Sequence, residues 1–295
     1  MLDQDLFDYG GSTFREVKEI AFSGEYPSPP DLPGLGLTSF LQLFNDAARN
    51  LHDKRDVRPT FRKLIHTNGI CFAGRWRITA TSSPYTGYFA SGSEGCLLAR
   101  GSVAGADLRR GQVRAFGIAG KVWPTLDPDA RFKPGNFVTV SGLSGTREPY
   151  ISKIEMTNMP SVGLNPGAFL ISRIIFRLMD TRPGLRQLFP IATLGLNPGD
   201  RVVCPDLMRL KLRAGTPLTI ADDFRDELRL KNYPEHKLSY NIDVKAFEET
   251  DWTTLGELEF TEDAVSEGGD TRLHFWIPRD IPSLPHRFQP ESHRP

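Results

Sequence analysis

His66 is the residue of this chain best suited to acid-base chemistry. It ends a short basic and then apolar segment, Arg62-Lys63-Leu64-Ile65, and Gly69 follows three residues later. Imidazole is the side chain whose ordinary pKa lets it accept and return a proton near neutral pH. A histidine in this setting is more often a hydrogen-bonded structural residue. Its role therefore depends on the elements that position it.

A strand is predicted directly after His66. Over 69–80, Ile70, Phe72, Gly74, Trp76 and Ile78 fall on one side of the chain, and Arg75, Arg77 and Thr79 on the other. Alternation with a period of two is typical of a half-buried strand. Further strands are predicted at 96–104, 113–123, 136–141, 150–157, 204–213, 237–247, 255–260 and 272–277. Short strands separated by turn residues favour an antiparallel barrel or sandwich.

Helical periodicity is confined to a few segments. Helices are predicted at 38–55 and 166–180, with a short one near 220–230. Residues 1–37 are rich in Pro and Gly, which predicts an irregular, extended N-terminal arm. We therefore expect an α+β chain with one barrel domain at 38–282, and a Pro-rich tail at 283–295. Exchange of the arm between subunits would produce a homo-oligomer.

The composition argues against several classes of partner. The chain has 295 residues, 39% hydrophobic and 24% charged, with 36 basic and 36 acidic residues. Such a balance gives no overall field for nucleic acid. No apolar run approaches the roughly 18 residues that a membrane span needs. An acidic opening segment unlike a secretory signal, and an odd number of distant cysteines (Cys71, Cys96 and Cys204), predict a cytoplasmic protein with reduced, mostly buried thiols.

Three blocks of the sequence resemble the catalase superfamily, in particular its small single-domain members. Those members include minimal haem peroxidases and allene-oxide-synthase-like proteins. The block at 63–69 (KLIHTNG) is similar to the family's R-V-V-H-x-x-G. The block at 101–105 (GSVAG), followed by 114–122 (RAFGIAGKV), is similar to S-T-V-A-G and R-G-F-A-V-K-F. The block at 135–140 (GNFVTV) is similar to G-N-W-D-L-V.

The resemblance implies an eight-stranded antiparallel β-barrel with helices packed outside. It also implies a haem b, whose iron is held by a proximal tyrosinate in active relatives. His66 would be the distal acid-base residue, with Thr67 and Phe137 lining the pocket. Lys63 and Arg114 would pair with the haem propionates. The implied reactant is an organic or fatty-acid (lipid) hydroperoxide, in preference to hydrogen peroxide.

Departures from the family pattern leave a second function open. The distal asparagine of the family would fall at Ser141-Gly142-Leu143, and its serine before T-V-A-G at Gly101. Its propionate-binding arginines align with Lys63 and Ala99. Arg100 lies one residue away, and a shift of one residue on a strand points a side chain to the opposite face.

The proximal tyrosine is the largest departure. Tyr233 follows Arg229 at the family's spacing, but it precedes the predicted strand 237–247. It is a weak candidate ligand, and the alternative is a solvent-exposed turn tyrosine. The chain ends in His293-Arg294-Pro295, similar to the segment that precedes the tyrosine helix in small relatives. Either the natural chain continues to such a helix, or the ligand is lost. In the second case a haem-free catalase-fold protein would serve as a binding or scaffold module.

Overall fold

The structure is a computed structural model of the chain. It describes the following residues: 11–24, 69–103, 116–132, 134–140, 156–157, 205, 207–221, 223–246, 249–273 and 275. The predicted helices at 38–55 and 166–180 lie outside these residues, and so do His66, Lys63, Thr67 and Arg114. The division of the chain at residues 37 and 282 stays a prediction.

Eight strands and three helices make up the described chain. The strands are β1 (Gly69–Ile78), β2 (Glu94–Val103), β3 (Phe116–Trp123), β4 (Gly135–Val140), β5 (Met156–Thr157), β6 (Leu207–Leu212), β7 (Leu238–Lys245) and β8 (Thr253–Ala264). The helices are α1 (Phe14–Ala21), α2 (Phe224–Glu227) and α3 (Glu267–Thr271). Single 3-10 turns lie at Gly87–Phe89, Leu230–Asn232 and Pro234–His236.

The strands form one antiparallel, strongly curled sheet. Each strand pairs with the next, and β8 pairs with both β7 and β1, so the pairing order returns to its start. Seven of the described strands have six residues or more, whereas β5 has two. β5 meets β4 at Val140 and β6 at Arg209 and Leu210. The prediction of an eight-stranded antiparallel barrel is therefore confirmed only as a curled antiparallel sheet, because the count of eight strands depends on this two-residue segment.

The interior of the sheet holds the main hydrophobic core. On β1, Ile70, Phe72, Trp76 and Ile78 point into it, as the alternation predicts. On β7 the interior positions are Leu238, Tyr240, Ile242 and Val244. Burial of large aromatic and aliphatic side chains is the main favourable term in folding. Because consecutive strand residues face opposite sides, the sequence fixes which residues fill this core.

Helix α1 contradicts the expectation of an irregular segment over residues 1–37. Its N-cap is Thr13, whose hydroxyl accepts a hydrogen bond from the Glu16 backbone N–H while the Glu16 carboxylate accepts one from the Thr13 N–H. This reciprocal pair is a capping box and fixes the start of the helix. Val17 and Ala21 are fully buried against the outer face of β1–β3, where the Phe14 ring meets Trp123 edge-to-face at 5.5 Å.

The prediction of a strand at 272–277 is wrong for the described residues of that segment. Helix α3 ends at Thr271, just before this segment, and Arg272, Leu273 and Phe275 lie outside any strand. Close packing explains the turn away from the sheet. A Cβ at Gly268 would lie 2.0 Å from the Ile20 carbonyl oxygen, so α3 can approach α1 only with glycine there. The edge of β1 is already occupied by β8, which runs on to Ala264.

The outer face of the sheet is also buried where helices cover it. Helices α1 and α3 pack there, which confirms that described helices lie outside the sheet. Cys71 and Cys96 are buried on this face, as expected for structural thiols. Burial raises the pKa of the Cys96 thiol. Both cysteines therefore behave as small apolar residues of a second core.

Candidate functional site

The sequence blocks that carry the resemblance end at one rim of the sheet. Gly69 at the start of β1 pairs with Ser102 near the end of β2, and Ser102 pairs with Gly117 of β3. Gly117 pairs in turn with Val140, the last residue of β4. We call this row of four paired residues the β1–β4 rim. Because adjacent strands are antiparallel, starts and ends alternate along the rim and the blocks meet there.

A short segment between β6 and β7 covers this rim. We call residues 223–236 the cap. The Asp223 side chain begins α2 by accepting a hydrogen bond from the Arg225 N–H at 2.8 Å. The Phe224 ring then lies 6.5 Å from Phe116 at the start of β3. Leu228 packs against Gly101 of β2. A Cβ added to this glycine would lie 3.5 Å from the Leu228 Cδ1.

The interior side of the rim is filled by apolar groups. A Cβ at Gly101 would also lie 3.2 Å from the Phe116 ring and 3.3 Å from the Phe72 ring. These distances are at the tight end of carbon–carbon contacts, so the missing serine of the family pattern is replaced by packed rings. Sequence reasoning noted the missing hydroxyl at Gly101 but could not predict what fills its place.

Phe137, predicted to line a pocket, lies inside the sheet. Its side chain is fully buried, and its ring centroid is 5.8 Å from that of Trp76. A Cβ at Gly120 would fall 2.3 Å from the same ring, so the glycine makes room for it. Phe137 thus packs in the core cluster that also contains the cap residue Tyr233.

Tyr233 is buried, which contradicts the reading of a solvent-exposed turn tyrosine. Its side chain is 4% exposed and its hydroxyl donates a hydrogen bond to the Glu227 backbone carbonyl. Burial raises the pKa of the phenol. In this structure the Tyr233 hydroxyl is thus engaged within the cap. Its role as a proximal haem ligand stays a prediction.

Arg100 lies on the outer face of β2, as expected for a position one residue from Ala99. Ala99 belongs to the interior core, whereas the Arg100 Nε donates to Asp270 Oδ1 of α3 at 2.9 Å. A second hydrogen bond joins Arg100 Nη2 to the same oxygen, and both side chains are 3% exposed. This ion pair holds the guanidinium outside the sheet. Arg100 cannot replace a propionate-binding arginine directed to the interior.

Two further buried polar groups escape sequence reasoning. Lys121 is fully buried on the outer face of β3, where its Nζ donates to Asn136 Oδ1 at 2.8 Å and lies 5.7 Å from the Phe275 ring. Tyr240 is fully buried inside the sheet. Lys121 stands out in the sequence as a charge within the apolar strand block 114–122. Tyr240 gives no sequence signal beyond its place on the apolar side of β7.

Only two of the six predicted site residues lie within the described ranges. Phe137 and Tyr233 share the interior core, and the remaining four lie outside the described residues. No group of three or more His, Cys, Asp or Glu side chains in the described part of the chain is arranged to hold a metal ion. No helix among the described residues is long and apolar enough to cross a membrane.

Comparison with known proteins gives distant likenesses among solved structures. No family model matches the chain, and no curated protein matches it. Among solved structures, the chain is similar to a bacterial catalase with a TM-score of 0.39 and 14% sequence identity. The match covers 82% of this chain and 55% of the catalase chain, so this chain spans about half the length of that protein.

Proposed function

We propose that this chain is a catalase-related haem protein that acts on organic or fatty-acid hydroperoxides, with His66 as its acid-base residue. One observation carries the proposal. The described residues of the three blocks that resemble the catalase superfamily (69, 101–103, 116–122 and 135–140) lie on four adjacent strands, which pair in register at the β1–β4 rim. The antiparallel order of these strands brings the described parts of all three blocks to one edge of the sheet, where a single pocket would need them.

The proposal puts the polar residues His66 and Arg114 near the same rim of the sheet. His66 precedes Gly69 by three residues, and Arg114 precedes Gly117 by three. Three extended residues span at most about 10 Å. The proposal thus puts the two side chains near the starts of β1 and β3, which β2 separates, with Lys63 and Thr67 on the same approach segment as His66.

In the proposed reaction, the chain contributes a proton carrier and an apolar enclosure. A bound haem supplies the redox chemistry on the O–O bond. The His66 imidazole accepts a proton from the hydroperoxide and returns it to the departing oxygen, which is general acid-base catalysis. Lys63 and Arg114 hold propionates by charge. Because the Tyr233 hydroxyl is engaged by the Glu227 carbonyl, the proposal assigns no described residue to the role of iron ligand.

The alternative function is a haem-free barrel that serves as a binding or scaffold module. Two observations favour it: the Tyr233 hydroxyl is occupied by the Glu227 carbonyl, and packed side chains fill the space inside Gly101. Both hypotheses use the same sheet and cap. They differ in whether a haem reaches the β1–β4 rim.

Haem binding separates the two functions directly. Protein produced with ample haem precursor should show a Soret band, which His66→Asn should shift or weaken. The control His236→Asn alters an exposed histidine of the cap and should leave the band unchanged. With a bound haem, turnover of cumene hydroperoxide should exceed that of hydrogen peroxide. A colourless protein that also takes up no added hemin would exclude the haem proposal and support the alternative.

Two further proposals concern the setting of the protein. We propose that residues 1–37 contribute to a homo-oligomer, and light scattering that finds only monomer would exclude this. We also propose a cytoplasmic location. Residual activity or fluorescence of a tagged chain in the periplasm or medium, after intact cells are separated, would contradict it.

A further inference from the structure

The hydroxyl of Tyr240 has no hydrogen-bond partner among the described residues. The side chain is fully buried inside the sheet, and its oxygen is out of contact with water. Natural proteins pair nearly all buried polar side-chain atoms, with protein groups or with a bound molecule. Interior packing alone would be served as well by phenylalanine, so the oxygen itself requires an explanation.

The surroundings of Tyr240 are apolar. Its strand partners are Leu212 of β6 and Leu258 of β8, and its ring meets Phe260 edge-to-face at 6.2 Å. Tyr233 of the cap lies within electrostatic range, and its own hydroxyl is engaged by the Glu227 carbonyl. Burial, and to a lesser degree Tyr233, raises the pKa of the Tyr240 phenol. The hydroxyl is therefore a neutral group with a proton to donate.

We infer that the Tyr240 hydroxyl is the polar anchor of an internal binding site beneath the cap. The site takes a small neutral molecule that has an apolar body and one oxygen able to accept a hydrogen bond. Neutrality follows from the walls, because an ion would lose its hydration among leucine and phenylalanine side chains without gaining an opposite charge. A single oxygen matches a single donor. The apolar body matches the surrounding rings.

Access to this site runs through the cap. Glu235 and His236, at the C-terminal end of the cap, both have φ of 55°. Non-glycine residues rarely adopt this left-handed conformation, and such residues are enriched in segments that move. The cap is tied to β8 through Asp263, which accepts a hydrogen bond from the Leu230 N–H at 3.2 Å and pairs with Arg229 at 3.0 Å. Arg229 is 32% exposed and Asp263 14%, so the guanidinium stays in contact with water when this tie opens, whereas the carboxylate is largely buried.

The site is independent of haem, although it is compatible with the proposed function. An organic hydroperoxide, or the alcohol formed from it, belongs to the ligand class that Tyr240 would hold. The binding experiment uses haem-free protein. Its outcome is therefore separate from the presence or absence of a Soret band.

Two matched probes test the anchor. Calorimetric titration of haem-free protein compares 2-phenylpropan-2-ol with cumene, which has the same apolar body without the oxygen. The wild-type protein should bind the alcohol about two- to tenfold more tightly than cumene, the factor that one net hydrogen bond supplies. Tyr240→Phe should remove this preference and leave cumene binding unchanged. The control Tyr88→Phe deletes another buried hydroxyl, one that bonds to the Gly135 backbone, and should keep the preference.

Three results would overturn the inference: no binding of either probe to the wild-type protein, an equal affinity for both, or an unchanged preference in Tyr240→Phe. A second variant keeps the test decisive if Tyr240→Phe does not fold. Asp263→Asn loosens the cap and should raise the association and dissociation rates of the alcohol several-fold, with little change in their ratio. Rates equal to those of the wild-type protein would refute access through the cap.

Discussion

Removal of the Asp270 carboxylate should strongly destabilise the protein. Asp270 and Arg100 form a buried ion pair between α3 and β2, and each side chain is 3% exposed. Asp270→Ala leaves the guanidinium without its main counter-charge in a region from which water is excluded. Loss of one partner of a buried pair costs about 3–5 kcal/mol. That is a third or more of the stability of many proteins, which is about 5–15 kcal/mol.

Urea denaturation followed by circular dichroism measures this loss. For a slope of about 3 kcal/mol per molar urea, the midpoint should fall by about 1–1.7 M. The matched control is Asp129→Ala, which removes an aspartate paired with Arg15 on the exposed surface, where both side chains are more than half exposed. Exposed pairs contribute little because water screens them. The control should leave the midpoint unchanged.

The paired replacement Arg100→Met with Asp270→Leu refines the prediction. Apolar residues of similar volume remove both charges at once, and such replacements of buried pairs are often neutral or stabilising. The double variant should therefore regain part of the stability lost in Asp270→Ala. A single variant that unfolds at the same urea concentration as the Asp129→Ala control would refute the view that this pair joins α3 to the sheet.

Three other measurements test the packing of the core. The free energy of unfolding should fall above about pH 10, because burial raises the pKa values of Tyr88, Tyr233 and Tyr240 and the native state then holds protons that the unfolded chain releases. Three such groups give a slope of about 4 kcal/mol per pH unit, which Tyr240→Phe should lower by about a third. Cys96 should resist alkylation by iodoacetamide at pH 8 in native protein and react rapidly in urea, as mass spectrometry would show, since burial raises its thiol pKa. Gly120→Ala should cost about 1–3 kcal/mol in urea denaturation because its Cβ would lie 2.3 Å from the Phe137 ring, and Phe137→Leu in the same chain should restore part of the loss.

The interior of the sheet follows from the sequence because strand periodicity fixes it directly. The alternation over 69–80 correctly assigns Ile70, Phe72, Trp76 and Ile78 to one face. The sequence also contains a signal for the start of α1, because Thr13-Phe14-Arg15-Glu16 has the spacing of a capping box. The abundance of Pro and Gly elsewhere in residues 1–37 favours an irregular segment. That expectation is wrong for Phe14–Ala21, which form α1.

The outer face could not be predicted in the same way. Arg100 and Lys121 occupy outward strand positions, where the pattern predicts solvated charges, yet both are buried. Their burial depends on α3 and on Phe275, which are distant in sequence. Tyr233 is comparable, since its burial depends on how the cap packs against the rim. Strand periodicity reports the direction of a side chain and does not report what covers that side.

The packing also divides the catalase-like motifs into residues that the fold explains and residues that it does not. A Cβ at Gly69 would lie 2.6 Å from the Arg100 guanidinium carbon, so an arginine held by Asp270 is sufficient reason for glycine there. Gly101 is likewise accounted for by the groups packed against it. Packing therefore favours glycine at both positions, whatever the function of the sheet. These glycines do not distinguish the two functions, and the spectrum of His66→Asn is the measurement that decides between them.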